Sequence, residues 1–227
     1  MKKLLTLLAL IFSFGMNAQI STNGTNNSGT YSSALGYQTT ASGNYSTALG
    51  YQTTASESYC TTMGYATIAS GSTSTSMGVS TIASGDGSTA MGNQTAASAN
   101  NSTAMGASTI ASGEVSTAMG YATIASGSSS IAMGLSTIAN GPNSTSMGVS
   151  TIASGGVSTA IGRSTTASDY GSLVIGHYNS SGSSVTNNAT SFSTSNTAFV
   201  IGNGTASNAR SDAFKVMFNG DATVSND

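Results

Sequence analysis

Tryptophan is absent from the 227 residues, cysteine, proline and histidine occur once each, and only 5% of the chain is charged. Each scarcity excludes something. A single cysteine, Cys60, leaves no internal disulfide. A single histidine, His177, means that any Ser-His-Asp or Cys-His arrangement has to use that one residue. Five cations against seven acids supply no basic patch to track phosphates, so nucleic acid is a poor partner. The one long apolar run, Leu4 to Phe14, is too short to span a bilayer, so no membrane span is expected in this chain.

What the chain has instead is repetition. Between residues 31 and 170 one fourteen-residue phrase is written ten times without insertion or deletion. Numbering the copy Val115 to Ser128 (VSTAMGYATIASGS) from one to fourteen, the sixth column is always Gly, the ninth always Thr from Thr39 to Thr165, and the eleventh always Ala from Ala41 to Ala167. The second is Ser except for Cys60, and the fifth is Leu, Met or Ile, whereas columns one, seven and fourteen vary freely. So strict a period marks a solenoid, in which each unit covers its apolar surface only by stacking on its neighbours. Composition alone also permits a disordered low-complexity linker, but the unbroken register argues against it.

Fourteen residues are too few for a two-helix repeat, which needs about thirty or more, and β-branched Thr and Ile favour strands. Read with period two, Ser-Thr-Ala-Met-Gly places Ser, Ala and Gly on one face and Thr and Met on the other; Thr-Ile-Ala-Ser-Gly sets Thr, Ala and Gly against Ile and Ser. The expected fold is therefore all-β, a parallel β-solenoid of fourteen-residue coils, each with two short strands and two tight turns. The invariant Gly is expected where a turn needs positive φ or the backbone approaches closely. Only small side chains fit inside so narrow a coil, which accounts for Ser, Ala and Thr in columns two, four, nine and eleven.

A thin interior cannot supply most of the stability. The fifth column faces outward and carries Leu35, Leu49, Met63, Met77, Met91, Met105, Met119, Met133, Met147 and Ile161. At a coil spacing of about 4.8 Å these form a stripe about 48 Å long. Removing each side chain from water is worth roughly 1.5 to 3 kcal/mol, too much to leave wet. No amphipathic segment is available to cover the stripe, so these ten residues are the expected interface of a closed self-assembly.

The pattern S-x-A-x-G-x-x-T-x-A-x-G, in copies such as Ser116-Thr117-Ala118-Met119-Gly120 and Ser158-Thr159-Ala160-Ile161-Gly162, resembles the head repeats of YadA-like trimeric autotransporter adhesins. The resemblance covers about residues 31 to 176 and recurs near Ala198-Phe199-Val200-Ile201-Gly202. It implies a left-handed parallel β-roll, a homotrimer around one axis, and display at the cell surface or outer membrane for adhesion. The chain departs from the usual pattern with Thr in the third column and Met in the fifth, and Met fills irregular apolar gaps.

In chain order, residues 1–18 read as a secretory signal: Lys2 and Lys3, the apolar run, then Gly15-Met16-Asn17-Ala18 before Gln19. Export to the cell surface or beyond is the expected localisation. Residues 19–30 form a polar, flexible leader, or a poorly formed first coil. The head repeats occupy 31–176, an insertion loop 177–196, and a last head coil with the start of a neck-like segment 197–227. In that segment Phe214, Val216 and Phe218 alternate onto one face before the turn Asn219-Gly220-Asp221. The resemblance would place a helical stalk and a barrel anchor downstream; their absence here is expected of a fragment of a longer protein or of a chain held at the surface by other means.

The inventory for catalysis is thin. Glu57, Asp86, Glu114 and Asp169 fall at turn columns of different coils, so no close acid pair is implied for glycoside chemistry. Asp86 and Glu114 lie two coils apart, about 9.6 Å, and no group has metal-ligand spacing. No glycine-rich loop opens a helix to cradle phosphate, so neither cofactor nor enzymatic activity is expected. Binding has to use the free columns. Tyr37, Tyr51, Tyr65 and Tyr121 share the seventh and Tyr31, Tyr45 and Tyr59 the first. These rows read either as a ligand-facing patch for an extracellular protein or glycan or as a ladder that stiffens the first coils. Two other readings stand beside an adhesin: a structural spacer, and an ice-binding solenoid, which requires Thr39 to Thr165 to face solvent.

Overall fold

The computed structural model describes residues 23–180 and 189–225. The signal segment 1–18, residues 19–22 of the leader, 181–188 of the insertion and 226–227 lie outside the described residues. Every helix or strand among those described is a strand.

A five-residue strand and a two-residue strand alternate through the repeats, as in Thr117–Tyr121 and Ile124–Ala125. Each pairs in parallel with its counterpart one repeat away. Met119 lies between Met105 and Met133, and Ile124 between Ile110 and Ile138. The pairing produces two sheets, one of eleven short strands and one of fourteen that includes all the long ones. The all-β parallel solenoid expected from the period is thus the fold. The described part of the leader contributes a rung, with Asn26–Asn27 paired to Thr40–Ala41.

The interior is where period-two alternation puts it. Ser116, Ala118, Thr123 and Ala125 are fully buried, as are their equivalents from Thr39 onward. Alanine and hydroxyl side chains fill the space between the two sheets through the repeats, with Cys60 among them and the larger Val174 and Val200 at the last rungs.

The turns differ from the expectation. Gly120 is the fourth residue of its long strand, not a turn residue. Its φ is +125°, and a Cβ there would sit 2.1 Å from the carbonyl oxygen of Gly134 in the next coil, so close approach is what excludes any side chain. The chain reverses instead at columns one and eight, where Val115 and Ala122 have φ of 57° and 52°. Column one is therefore free in residue type but not in conformation. The left-handed residues also reverse the direction of hydrogen bonding. Strand residues donate forward, as Thr117 N–H does to Ser130 O and Ile124 N–H to Thr137 O, both at 2.9 Å. Turn residues donate backward, Val115 N–H to Asn100 O and Ala122 N–H to Ala107 O, also at 2.9 Å. Bonds running both ways offset the ~1–2 kcal/mol that each non-glycine residue costs in this region.

Beyond Gly176 the stack resumes in register, since Val174 faces Val200 and Gly176 faces Gly202. His177 closes the strand Leu173–His177 and does not belong to the loop. The chain then folds back. Asp212–Met217 pairs antiparallel with Thr197–Asn203, and Ala222–Val224 pairs antiparallel with it in turn.

Candidate functional site

The ten fifth-column residues come together as one outward column on the long-strand sheet. Parallel pairing aligns Leu35, Leu49, Met63 and Met77 with one another and continues through Met91, Met105, Met119, Met133 and Met147 to Ile161. Ile175 and Ile201 prolong it. Each side chain is covered by its neighbours above and below but open in front; Met63 remains 41% exposed and Ile161 39%. Half-buried threonines of column three, such as Thr103 and Thr117, run alongside.

A second apolar column occupies the other sheet. Ile68, Ile82, Ile110, Ile124, Ile138 and Ile152 share the tenth column of the short strands, and Ile82 is 42% exposed. The alternation that buries Thr123 and Ala125 on either side of Ile124 necessarily turns the isoleucine outward. The fifth column is therefore not the whole of the outward apolar surface; these six isoleucines add to it.

The tyrosines form two ladders confined to the first three coils. Ring centroids are 5.3 Å apart for Tyr31 and Tyr45 and 5.1 Å for Tyr45 and Tyr59; in the other row they are 4.9 Å for Tyr37 and Tyr51 and 5.1 Å for Tyr51 and Tyr65. Stacked in this way the rings cover each other's faces and present edges and hydroxyls outward. Tyr121 stands apart, exposed between Ala107 and Leu135 in the adjacent rungs.

The residues inspected for chemistry stay dispersed. His177 is exposed, and so are Glu57, Asp86 and Glu114. Asp86 serves a turn: its Oδ1 accepts from Ser72 N–H at 2.9 Å and its own N–H donates to Asn100 Oδ1 at 3.2 Å. Cys60 is buried in a serine column, its thiol 3.1 Å from Gly71 O. Among the described residues no three of His, Cys, Asp and Glu gather as a metal site would require.

Comparison with protein-family models decides what kind of stack this is. The model of the YadA head domain repeat, in two copies, matches residues 28–53, 69–95, 83–109, 97–123, 111–137, 139–156 and 153–179, which together make up more than half of the chain. The chain belongs to the YadA head family. A search of curated proteins found no match. Membership carries a surface-adhesin architecture of the trimeric autotransporter kind, a β-roll that is non-enzymatic in character. Among the described residues no helix is long and apolar enough to cross a membrane.

This YadA head is fastened at its C-terminal end by contacts that the repeats lack. Asp169, a turn residue by sequence, is buried, and its Oδ2 accepts from Thr197 N–H at 2.7 Å. Asp212 Oδ1 accepts from Ser180 N–H at 2.8 Å, so both ends of the insertion are held by carboxylates. The Arg210 guanidinium donates through Nη1 to Ser164 O at 2.9 Å and to Asn179 O at 3.3 Å. It lies 5.6 Å from the Tyr178 ring centroid, and Arg163 lies at the same distance. Sequence alone gave no signal for these, because each carries its meaning only through a partner more than fourteen residues away.

Proposed function

We propose that the chain is the head of a surface-displayed adhesin that acts as a homotrimer and attaches by passive binding to an extracellular protein or glycan. The observation that carries this is the unbroken apolar column from Leu35 to Ile161 on one sheet, in a chain of the YadA head family. An apolar surface of that length is too costly to leave in water, and threefold closure covers it with three identical copies. Among the described residues the titratable groups are dispersed and form no constellation for chemistry, and we read the protein as a non-enzyme. Residues 1–18 are read as an export signal and the head as lying at the cell surface, the outer membrane or outside the cell.

Sedimentation of the exported chain tests the assembly. A trimer at all accessible dilutions supports the reading, and a stable, well-folded monomer overturns it. Binding is tested by exchanging Tyr37, Tyr51, Tyr65 and Tyr121 for Ser in displayed protein. Loss of cell or matrix attachment places the contact on that row, whereas unchanged attachment favours a spacer role with the tyrosines serving as a stiffening ladder. The ice-binding alternative loses its basis, because every threonine of the column Thr39 to Thr165 is buried.

A further inference from the structure

The Ile column of the short-strand sheet is left over once the Leu/Met column is assigned to the subunit interface. The two columns lie on different sheets of the same thin coil and face away from each other, so one closed interface cannot cover both. From Ile68 to Ile152 the column spans six coil steps, about 29 Å, and the short-strand face is about 13 Å wide from column eight to column twelve. That is an area of about 400 Å² per protomer, half of the ~800 Å² that each partner contributes to a standard interface.

We infer that this face is a lateral contact between assemblies, occupied by the same Ile face of a second copy. This rests on the reading of the Leu/Met column as the subunit interface. Three features favour a second copy over a foreign partner. First, the face carries no charge. Asp86 and Glu114 are the only charged residues between Met63 and Ile161, and both sit in exposed turns of column fourteen. Nothing therefore repels an identical surface. Second, a copy has the same rung spacing, so rungs of one stack fall between those of the other, with Ala96 the one position from Ile68 to Ile152 where the column holds no isoleucine; a surface of different period cannot keep that match. Third, exposed serines of column twelve, such as Ser84, Ser112 and Ser126, border the isoleucines with the polar rim that self-complementary interfaces use. The small area makes one such contact weak. A threefold assembly carries three of them, and heads crowded on a surface engage many at once, so the contact gains through effective concentration.

The chain itself supplies the conservative variant. Thr40, Thr54 and Thr166 occupy the same column in other coils, so threonine is compatible with the rung. Replacing Ile68, Ile82, Ile110, Ile124, Ile138 and Ile152 by Thr in the full exported chain, followed by sedimentation velocity over a wide concentration range, tests the inference. The unaltered protein is expected to form species heavier than the trimer as concentration rises, and the variant to need at least tenfold more protein to do so. A smaller pair of changes, Ile110→Lys and Ile138→Lys, is expected to act in the same direction and guards against misfolding of the larger set. Identical behaviour of all three proteins overturns the inference. So does a fall of the Thr variant to monomer, since the Ile face would then be the subunit interface. So does a heavier species that forms only with phosphatidylcholine vesicles, since lipid would then be the occupant. Met77, Met91 and Met105 replaced by Thr separate the two claims: a trimer that survives those changes sinks the parent reading, while the Ile set still reports on its own face.

Discussion

The repeat stack and the C-terminal closure solve the same problem in opposite ways. Between residues 31 and 168 the interior is alanine and hydroxyl apart from Cys60, and the coils repeat one pattern of backbone bonds. From Asp169 onward the larger Val174 and Val200 enter the core, Phe199 and Phe214 meet edge-on at 6.2 Å, Phe192 and Phe218 at 5.0 Å, and individual side chains such as Asp169 and Arg210 hold particular backbone atoms. Repetition lets a poor core suffice, because backbone ladders and stacking recur at every rung. Ending the repetition needs contacts that are each made once.

The difference can be broken most severely at the glycines. Gly120→Ala forces a methyl into the Gly134 carbonyl and is expected to cost more than about 4 kcal/mol, read as a collapse of the unfolding midpoint in urea. In the closure Gly220→Ala meets nothing within 4 Å and is expected to cost only about 1 kcal/mol for its positive φ. Equal losses would contradict the contrast. Asp169→Ala removes a buried acceptor and is expected to cost about 2 kcal/mol. Hydrogen exchange should show the loss confined to residues near 169 and 197, with the central coils still protected.

Smaller effects probe the interior of the stack. Ser76 and Thr81 hydroxyls are 2.7 Å apart, as are those of Ser146 and Thr151, whereas Thr123 Oγ1 and Thr109 Oγ1 are buried with no hydrogen-bond partner among the described residues. Ser76→Ala is therefore expected to cost about 1.5 kcal/mol by stranding Thr81, and Ala118→Ser to gain up to about 1 kcal/mol by pairing with Thr123. Thermal unfolding of the two variants should move in opposite directions. Smallest of all, Val115→Asn relieves a β-branched residue at φ 57° in a column that already holds Asn101 and Asn143. It is expected to raise Tm by about 2–4 °C, corresponding to about 1 kcal/mol in a chain of this length.

Much of this was legible from the residues. Period two within the phrase separated Ser116, Ala118, Thr123 and Ala125 from Met119 because in a strand alternation is geometry. The fixed glycine announced a close approach, although its placement inside a strand was not evident. The turns were hidden. Tyr31, Gln38, Ser80 and Val115 all adopt left-handed backbone, and none of these residue types prefers it, so conformation there is imposed by the coil. The second stripe was readable at Ile124 but lost its weight beside the longer Met column. Asp169 resembled any turn acid until the backbone of Thr197, across an insertion, was brought to it.

The shared register has a consequence for how such a protein changes over generations. Because the rung from Thr117 to Ser130 meets its neighbours through the same pairings as the rung from Thr103 to Ser116, one whole unit can be removed or copied and the ends rejoin without a seam. The length of the stack is then a matter of copy number, adjustable in steps of about 4.8 Å, while a gain or loss of any other number of residues has to be looped out, as the segment between Gly176 and Thr197 is, for the next rung to keep its register.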